Sequence, residues 1–74
     1  MKVYLNDVLA WFPEGTWVCV SCDTVHDRSI FGKTGGNATQ ELSDAVARLY
    51  KRNPEVYEIS HLDGFKHGLA LRVR

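Results

Sequence analysis

The stretch TWVCVSC, at positions 16–22, decides the fold of this 74-residue chain. It is rich in β-branched and aromatic residues, a composition typical of a β-strand. Successive side chains of a strand point to opposite faces. One face then carries Val18, Val20 and Cys22, and the other carries Trp17, Cys19 and Ser21. The pattern predicts a strand with one side packed in a core and one side open.

The segments on either side of this strand predict a helix before it and a strand after it. Leu5, Val8, Leu9 and Phe12 recur at the spacing of one helical face, and Pro13 ends that segment. Positions 28–31 predict a short second strand, which pairs back on the first across a polar connection at positions 23–27.

The second half of the chain predicts another helix and another hairpin. A helical stripe of Leu42, Ala45, Val46 and Leu49 follows Asn37, which with Gln40 resembles a capping box; Thr39 is the alternative cap. Positions 56–62 and 69–74 alternate as strands. Asp63 and Gly64 predict a two-residue turn between them, and a longer connection through positions 65–68 is the alternative.

These elements predict an α+β fold built as a single domain over residues 1–74. We expect a two-layer αββαββ sandwich, in which an antiparallel four-stranded sheet carries two helices on one face. The strand residues expected to face the helices are Val18, Val20, Ile30, Leu69, Leu71 and Val73. The opposite face then carries Trp17, Cys19, Ser21, Phe31, Lys33, Arg72 and Arg74.

The composition narrows the classes of function. Nine basic and nine acidic residues give a formal net charge of zero. The chain therefore lacks the strong positive electrostatic field that most nucleic-acid-binding proteins carry. The hydrophobic fraction of 45% excludes intrinsic disorder. No secretory signal and no run of about 20 apolar residues is present, so we expect a cytoplasmic protein without a membrane segment.

The open face is the predicted working surface. Aromatic and Arg side chains are enriched at the energetic centres of protein interfaces, so we predict Trp17, Phe31, Arg72 and Arg74 as partner-binding residues. A chain this short also buries a small core, which predicts self-association through the same face or through an edge strand.

The sequence contains candidate residues for a catalytic or metal site, but their spacing does not favour either kind of site. Cys19, Cys22 and His26 form a C-x2-C-x3-H pattern, with His61 and His67 as further zinc ligands, but a continuous strand would splay the two thiols. A redox pair would need a helix after the first thiol. His61 and His67 could also form a pH-sensitive pair across the last hairpin. We predict no enzyme activity, no metal and no cofactor.

Several segments together resemble a family. They are positions 1–3, the FPEGT sequence at 12–16, the strand at 18–22 and the IFG sequence at 30–32. This pattern is similar to small orphan proteins of phages and prophages of Gram-positive bacteria. The chain departs from it in the loop at 35–37, at Trp17 and at Cys19.

The resemblance implies a small phage protein that binds and inhibits a host protein, such as a defence nuclease. It carries no functional residue over to this chain. The alternative hypothesis is a nucleic-acid accessory module, in which aromatic residues of the sheet stack on bases and Arg residues contact phosphates.

Overall fold

The structure, a computed structural model, describes residues 2–22, 25–62, 64 and 67–74, with the backbone alone at 25–28. The elements in chain order are α1 (Leu5–Leu9), β1 (Trp17–Cys22), β2 (Val25–Lys33), α2 (Asn37–Tyr50), β3 (Val56–His61) and β4 (Gly68–Val73). The predicted αββαββ order and the α+β class are confirmed.

The four strands form one mixed sheet in the order β2-β1-β4-β3. Each predicted hairpin is antiparallel, but β1 and β4 pair in parallel at the centre, with Val20 opposite Leu71. The prediction of a fully antiparallel sheet is therefore wrong. The long connection through α2 brings the second hairpin beside the first with β4 running in the direction of β1.

Burial explains why β1 and β4 are central. Val18 and Val20 of β1, and Leu71 and Val73 of β4, are at most 1% exposed. A central strand has neighbours on both sides, so its main chain and its apolar side chains are both shielded from solvent. The edge strand β3, by contrast, is exposed from Glu58 to its end. The most apolar strands thus occupy the middle and the more polar strands form the edges.

One core joins both helices to the sheet. Leu5, Val8 and Leu9 of α1 and Leu42 and Val46 of α2 belong to the same buried cluster as the central strand valines. Ile30 and Leu69 pack against this cluster while remaining partly exposed. The apolar stripes predicted for both helices and for the strands are confirmed. The helix α2 lies close to β2, where a side chain on Gly32 would meet the Leu42 Cδ1 atom at 2.9 Å.

The chain before α1 runs along the outer edge of β3. Tyr4 bridges Glu55, and the Val56 N–H group donates to the Val3 carbonyl over 2.8 Å. The Leu5 N–H group donates to the Pro54 carbonyl over 2.9 Å. This short pairing covers the start of the β3 edge and ends at Val56.

Four local expectations differ from the structure. Helix α1 ends at Leu9, so Phe12, which belonged to the predicted helical stripe, packs against the core from the chain after the helix. Strand β2 begins at Val25 rather than at position 28, and its pairing with β1 is irregular beyond Ser21. The hairpin of β3 and β4 has the longer connection, because Leu62 already donates to the Gly68 carbonyl; Asp63 and positions 65–66 lie outside the described residues. Helix α2 starts at Asn37, so that residue does not cap it.

Candidate functional site

The side of the sheet opposite the core presents a surface that we call the outer face. It is defined by Trp17, Cys19, Phe31, Lys33 and Arg72, which alternate with the core residues along their strands. Phe31 is 48% exposed and Trp17 is half-buried. Large aromatic side chains therefore remain open to solvent on this surface.

Trp17 and Phe31 form a stacked pair on the outer face. Their ring centroids lie 5.1 Å apart and their planes differ by 11°. The pairing of β1 with β2 places Phe31 opposite Cys19, diagonally across from Trp17, a spacing that aromatic side chains can bridge. The Lys33 Nζ atom lies 5.4 Å from the Trp17 ring centroid, within reach of a cation–π contact.

The loop before β1 and the end of β2 hold this pair in place. Thr16 and Thr34 are both buried, and each hydroxyl donates to the Pro13 carbonyl, over 2.7 and 2.8 Å. The Thr16 N–H group donates to the Thr34 Oγ1 atom over 3.1 Å. The threonines directly precede Trp17 and follow Lys33, so this network fixes the backbone on both sides of the aromatic pair.

The two predicted arginines lie at the other end of the outer face. Arg72 is opposite Ser21, four residues along β1 from Trp17, which corresponds to about 13 Å along the strand. Its Nε atom lies 3.2 Å from the Glu58 Oε1 atom, and both side chains are about half exposed, at 52% and 51%. The guanidinium of Arg74 lies over the Tyr57 ring, 4.4 Å from its centroid.

The four predicted binding residues therefore form two groups rather than one cluster. One group is the aromatic pair with Lys33 beside it, and the other is the pair of arginines with partners on β3. Sequence reasoning missed Glu58 and Tyr57, because their contacts depend on the register of β3 with β4, which the predicted hairpin did not fix. The alternation of charge between Glu58 and Arg72 across the predicted hairpin was the available signal for the ion pair.

The cysteines follow the strand geometry. Cys22 packs against the core, whereas Cys19 alternates onto the outer face, so the two thiols point to opposite sides of β1. The His26 side chain lies outside the described residues. Within the part of the chain that the structure describes, no group of three or more His, Cys, Asp or Glu side chains is arranged to hold a metal ion.

The other two histidines line one cleft at the end of the sheet. The cleft has a volume of about 470 Å³, and His61 and His67 contribute to its wall together with Glu14 and Leu69. Among the described residues, no third metal-ligating side chain lies with these two histidines in a group that could hold a metal ion.

Comparison with other proteins identifies no relative: no protein family matches the sequence, and neither the curated proteins nor the solved structures give a significant match. Both helices of the described chain are too short to cross a lipid bilayer.

Proposed function

We propose that this chain is a non-enzymatic binding protein that attaches to a partner protein through the outer face. The stacked pair of Trp17 and Phe31 is the observation that carries the proposal. The proposal includes a two-layer arrangement, with both helices on the core side of the sheet and the outer face left open to a partner.

The aromatic pair has properties that suit a protein interface. Two rings held parallel by the strand register offer a wide apolar surface whose conformation is already fixed, so little side-chain entropy is lost on binding. Trp and Arg are enriched among the residues that dominate binding energy. Lys33 at one side and the Arg72–Glu58 pair at the other supply a polar rim.

The kind of partner proposed follows from the resemblance to small phage and prophage proteins. Small phage proteins of known role often bind and block a host enzyme, and we propose that this chain covers and inhibits a host protein, a defence nuclease being one candidate. Binding of this type requires only a rigid surface and no cofactor, metal or catalytic group.

The nucleic-acid alternative has less support from the charges of the outer face. Lys33 lies beside the aromatic pair, but the charge of Arg72 is opposed by Glu58 at 3.2 Å, and the net charge of the chain is zero. Contacts to phosphate need basic groups whose charge is not already neutralised. Because such contacts release counterions, the affinity for nucleic acid falls steeply as the salt concentration rises. A titration with single-stranded oligonucleotides at low salt distinguishes the two functions, because a protein-binding face of this kind gives no binding there.

The first prediction concerns the aromatic pair. The purified chain, immobilised, should retain a specific protein from a lysate of a Gram-positive bacterium. The identified protein should then bind the Trp17→Ala/Phe31→Ala double variant at least about tenfold more weakly, since aromatic anchors at the centre of an interface contribute that much or more. Affinity is measured by titration calorimetry with the purified partner.

Trp11 supplies the matched control. It is 62% exposed and lies just after α1, away from the outer face, so Trp11→Ala removes a tryptophan without changing the proposed surface. Circular dichroism verifies that each variant is folded. Equal loss of affinity in Trp11→Ala, or full affinity in the double variant, contradicts the proposed site; the absence of any retained protein contradicts the function.

A further inference from the structure

The outer edge of β3 is a second surface with unused binding capacity. Strand β3 lies at the end of the sheet order, and among the described residues the only segment that pairs with its outer side is Val3–Tyr4, at Glu55 and Val56. The strand continues to His61 beyond that pairing. An edge strand presents main-chain donors and acceptors to any extended chain of matching geometry.

The hydrogen bonds within the last hairpin show which main-chain groups point outward. The Leu62 N–H group donates to the Gly68 carbonyl over 3.0 Å, so the main chain of Leu62 faces β4. Main-chain direction alternates along an antiparallel strand, and Ser60 therefore also faces β4. The N–H and C=O groups of Ile59 and His61 point away from the sheet.

Exposed apolar side chains collect on the same side of the molecule. Among the described residues four large hydrophobic side chains are exposed, and three of them, Tyr4, Trp11 and Ile59, flank this edge, at 39%, 62% and 45% exposure. Trp11 and Ile59 line a groove of about 290 Å³ together with Val8 and Val56. Exposed apolar surface next to unpaired strand edges favours association.

The part of this edge from Ile59 to His61 lacks the devices that keep sheet edges apart, because the irregular pairing of β3 with β4 lies before it, between Val56 and Glu58. Natural edge strands are usually protected by lysines, prolines or bulges that turn the edge away. The six residues of β3 contain no lysine or proline, and the carboxylate of Glu58 already pairs with Arg72 in the same chain. The other edge strand, β2, contains Lys33, and its pairing with β1 is irregular beyond Ser21.

We propose that β3 pairs with β3 of a second copy of this chain, in antiparallel orientation about a two-fold axis. The outward groups of Ile59 and His61 are two residues apart, so Ile59 of one copy can exchange both hydrogen bonds with His61 of the other. The two-fold axis repeats this exchange and gives four main-chain hydrogen bonds, with Ser60 opposite Ser60.

The chemistry of the chain favours a second copy as the occupant. Two chains of zero net charge meet no net electrostatic repulsion, and the interface is isologous, so each copy supplies both halves of the pairing. A perpendicular two-fold axis joins the two sheets into one continuous eight-stranded sheet. The outer faces of both copies then lie on the same side and remain open to the partner protein proposed above.

Sedimentation equilibrium from micromolar to millimolar concentration tests the pairing. The unaltered chain should form a dimer of two 8.4-kDa chains. Ile59→Lys places a charge at the shared edge, and His61→Pro removes an outward N–H group that the chain itself does not use. Each variant should weaken the dimer at least about tenfold. Phe31→Lys, which puts the same charge on the outer face, is the matched control and should leave the dimer intact.

Cysteine cross-linking tests the register independently of the stability of those variants. Ser60→Cys should form a covalent dimer under mild oxidation. In the proposed register the two Ser60 residues form a non-hydrogen-bonded pair, whose Cα atoms are about 4.5 Å apart, a distance that a disulfide can span. Glu58→Cys, two residues away on the same side, should not, and mass spectrometry of the cross-linked peptide identifies the sulfurs.

The results separate this inference from the proposed function. A monomer at every concentration overturns the dimer, and so does a dimer that Phe31→Lys abolishes while Ile59→Lys and His61→Pro preserve it. A Glu58 cross-link without a Ser60 cross-link overturns the register. Loss of dimerisation in the edge variants together with unchanged capture of a partner protein supports the edge as a second, separate surface.

Discussion

At the scale of single residues, Thr34 connects the candidate site to the rest of the fold. Its side chain is 3% exposed, its hydroxyl donates to the Pro13 carbonyl, and the same oxygen accepts from the Thr16 N–H group. Buried polar groups are stable only when their hydrogen bonds are made. The threonine therefore joins the end of β2 to the start of β1, immediately beside Lys33 and Trp17.

Thr34→Val is expected to lower the free energy of unfolding by about 1–2 kcal/mol. The shape of the side chain is retained, but the Pro13 carbonyl and the Thr16 N–H group each lose a hydrogen bond in a buried site. Urea denaturation followed by circular dichroism measures the change. Thr39→Val is the control, because its partly buried hydroxyl accepts one bond, from the Gly35 N–H group over 2.7 Å, and should cost less. An equal or larger loss in the control would contradict the role of Thr34.

Gly35 shows a related constraint. Its φ angle is +118°, a region that side chains rarely adopt, and a Cβ atom there would lie 2.3 Å from the Glu14 Cγ atom. A side chain at position 35 would therefore need both a rarely adopted backbone conformation and a shift of the Glu14 side chain.

At the scale of elements, the end of α2 carries a conformational strain. Lys51 has φ of 63° and ψ of 22°, and it alone among the described non-glycine residues has a positive φ. Its N–H group donates to the Ala47 carbonyl over 2.8 Å, which closes the helix in the manner usually provided by glycine.

Lys51→Gly is expected to stabilise the protein by about 0.5–1 kcal/mol. The left-handed conformation costs a residue with a Cβ atom about 1–2 kcal/mol, and this relief exceeds the entropy that glycine adds to the unfolded chain. Chemical denaturation measures the gain. Arg52→Gly, at the next position, has no positive φ to relieve and should be neutral or destabilising. A loss of stability in Lys51→Gly would show that the left-handed conformation of Lys51 does not determine the effect of this substitution on stability.

Local patterns predicted most of the elements because each pattern depends on neighbouring residues. The helical stripe through Leu42 and Val46 and the alternation through Val18 and Val20 both reflect burial in the core. The length of β2 escaped prediction because positions 25–28 are largely polar and lack the apolar alternation by which a strand is recognised in a sequence. The two-residue turn was predicted in place of the longer connection because a favourable Asp-Gly pair does not fix where pairing of the strands stops.

Long-range pairing was harder to predict than the elements. The parallel contact of β1 with β4 joins residues about 50 positions apart, and no local pattern encodes its direction. The outer face was predicted from alternation alone, so Trp17 and Phe31 could be placed on one side. Their stacking depends on the register of β1 with β2, and the separation of the arginines from them depends on where β4 lies.

At the scale of the whole molecule, the size of the core limits stability. Among the described residues ten hydrophobic ones make up the buried cluster, and small domains of this kind usually gain stability from a metal, a disulfide or association. The described residues hold no group of metal ligands, and both cysteines are free thiols. The proposed pairing of β3 would extend the sheet and shield the edge main chain, which connects oligomeric state directly to folding.

The melting temperature should therefore rise with protein concentration. If two folded chains form one dimer and the unfolded chains are separate, a hundredfold rise in concentration stabilises each chain by about 1.4 kcal/mol, half of RT ln 100. For a chain of this length that corresponds to a shift of about 5–10 °C. Differential scanning calorimetry across that range measures it. Ile59→Lys should show a melting temperature that does not change with concentration, because a monomer unfolds without dissociating. A constant melting temperature for the unaltered chain would mean that the small core is sufficient alone and that the β3 edge remains unpaired in solution.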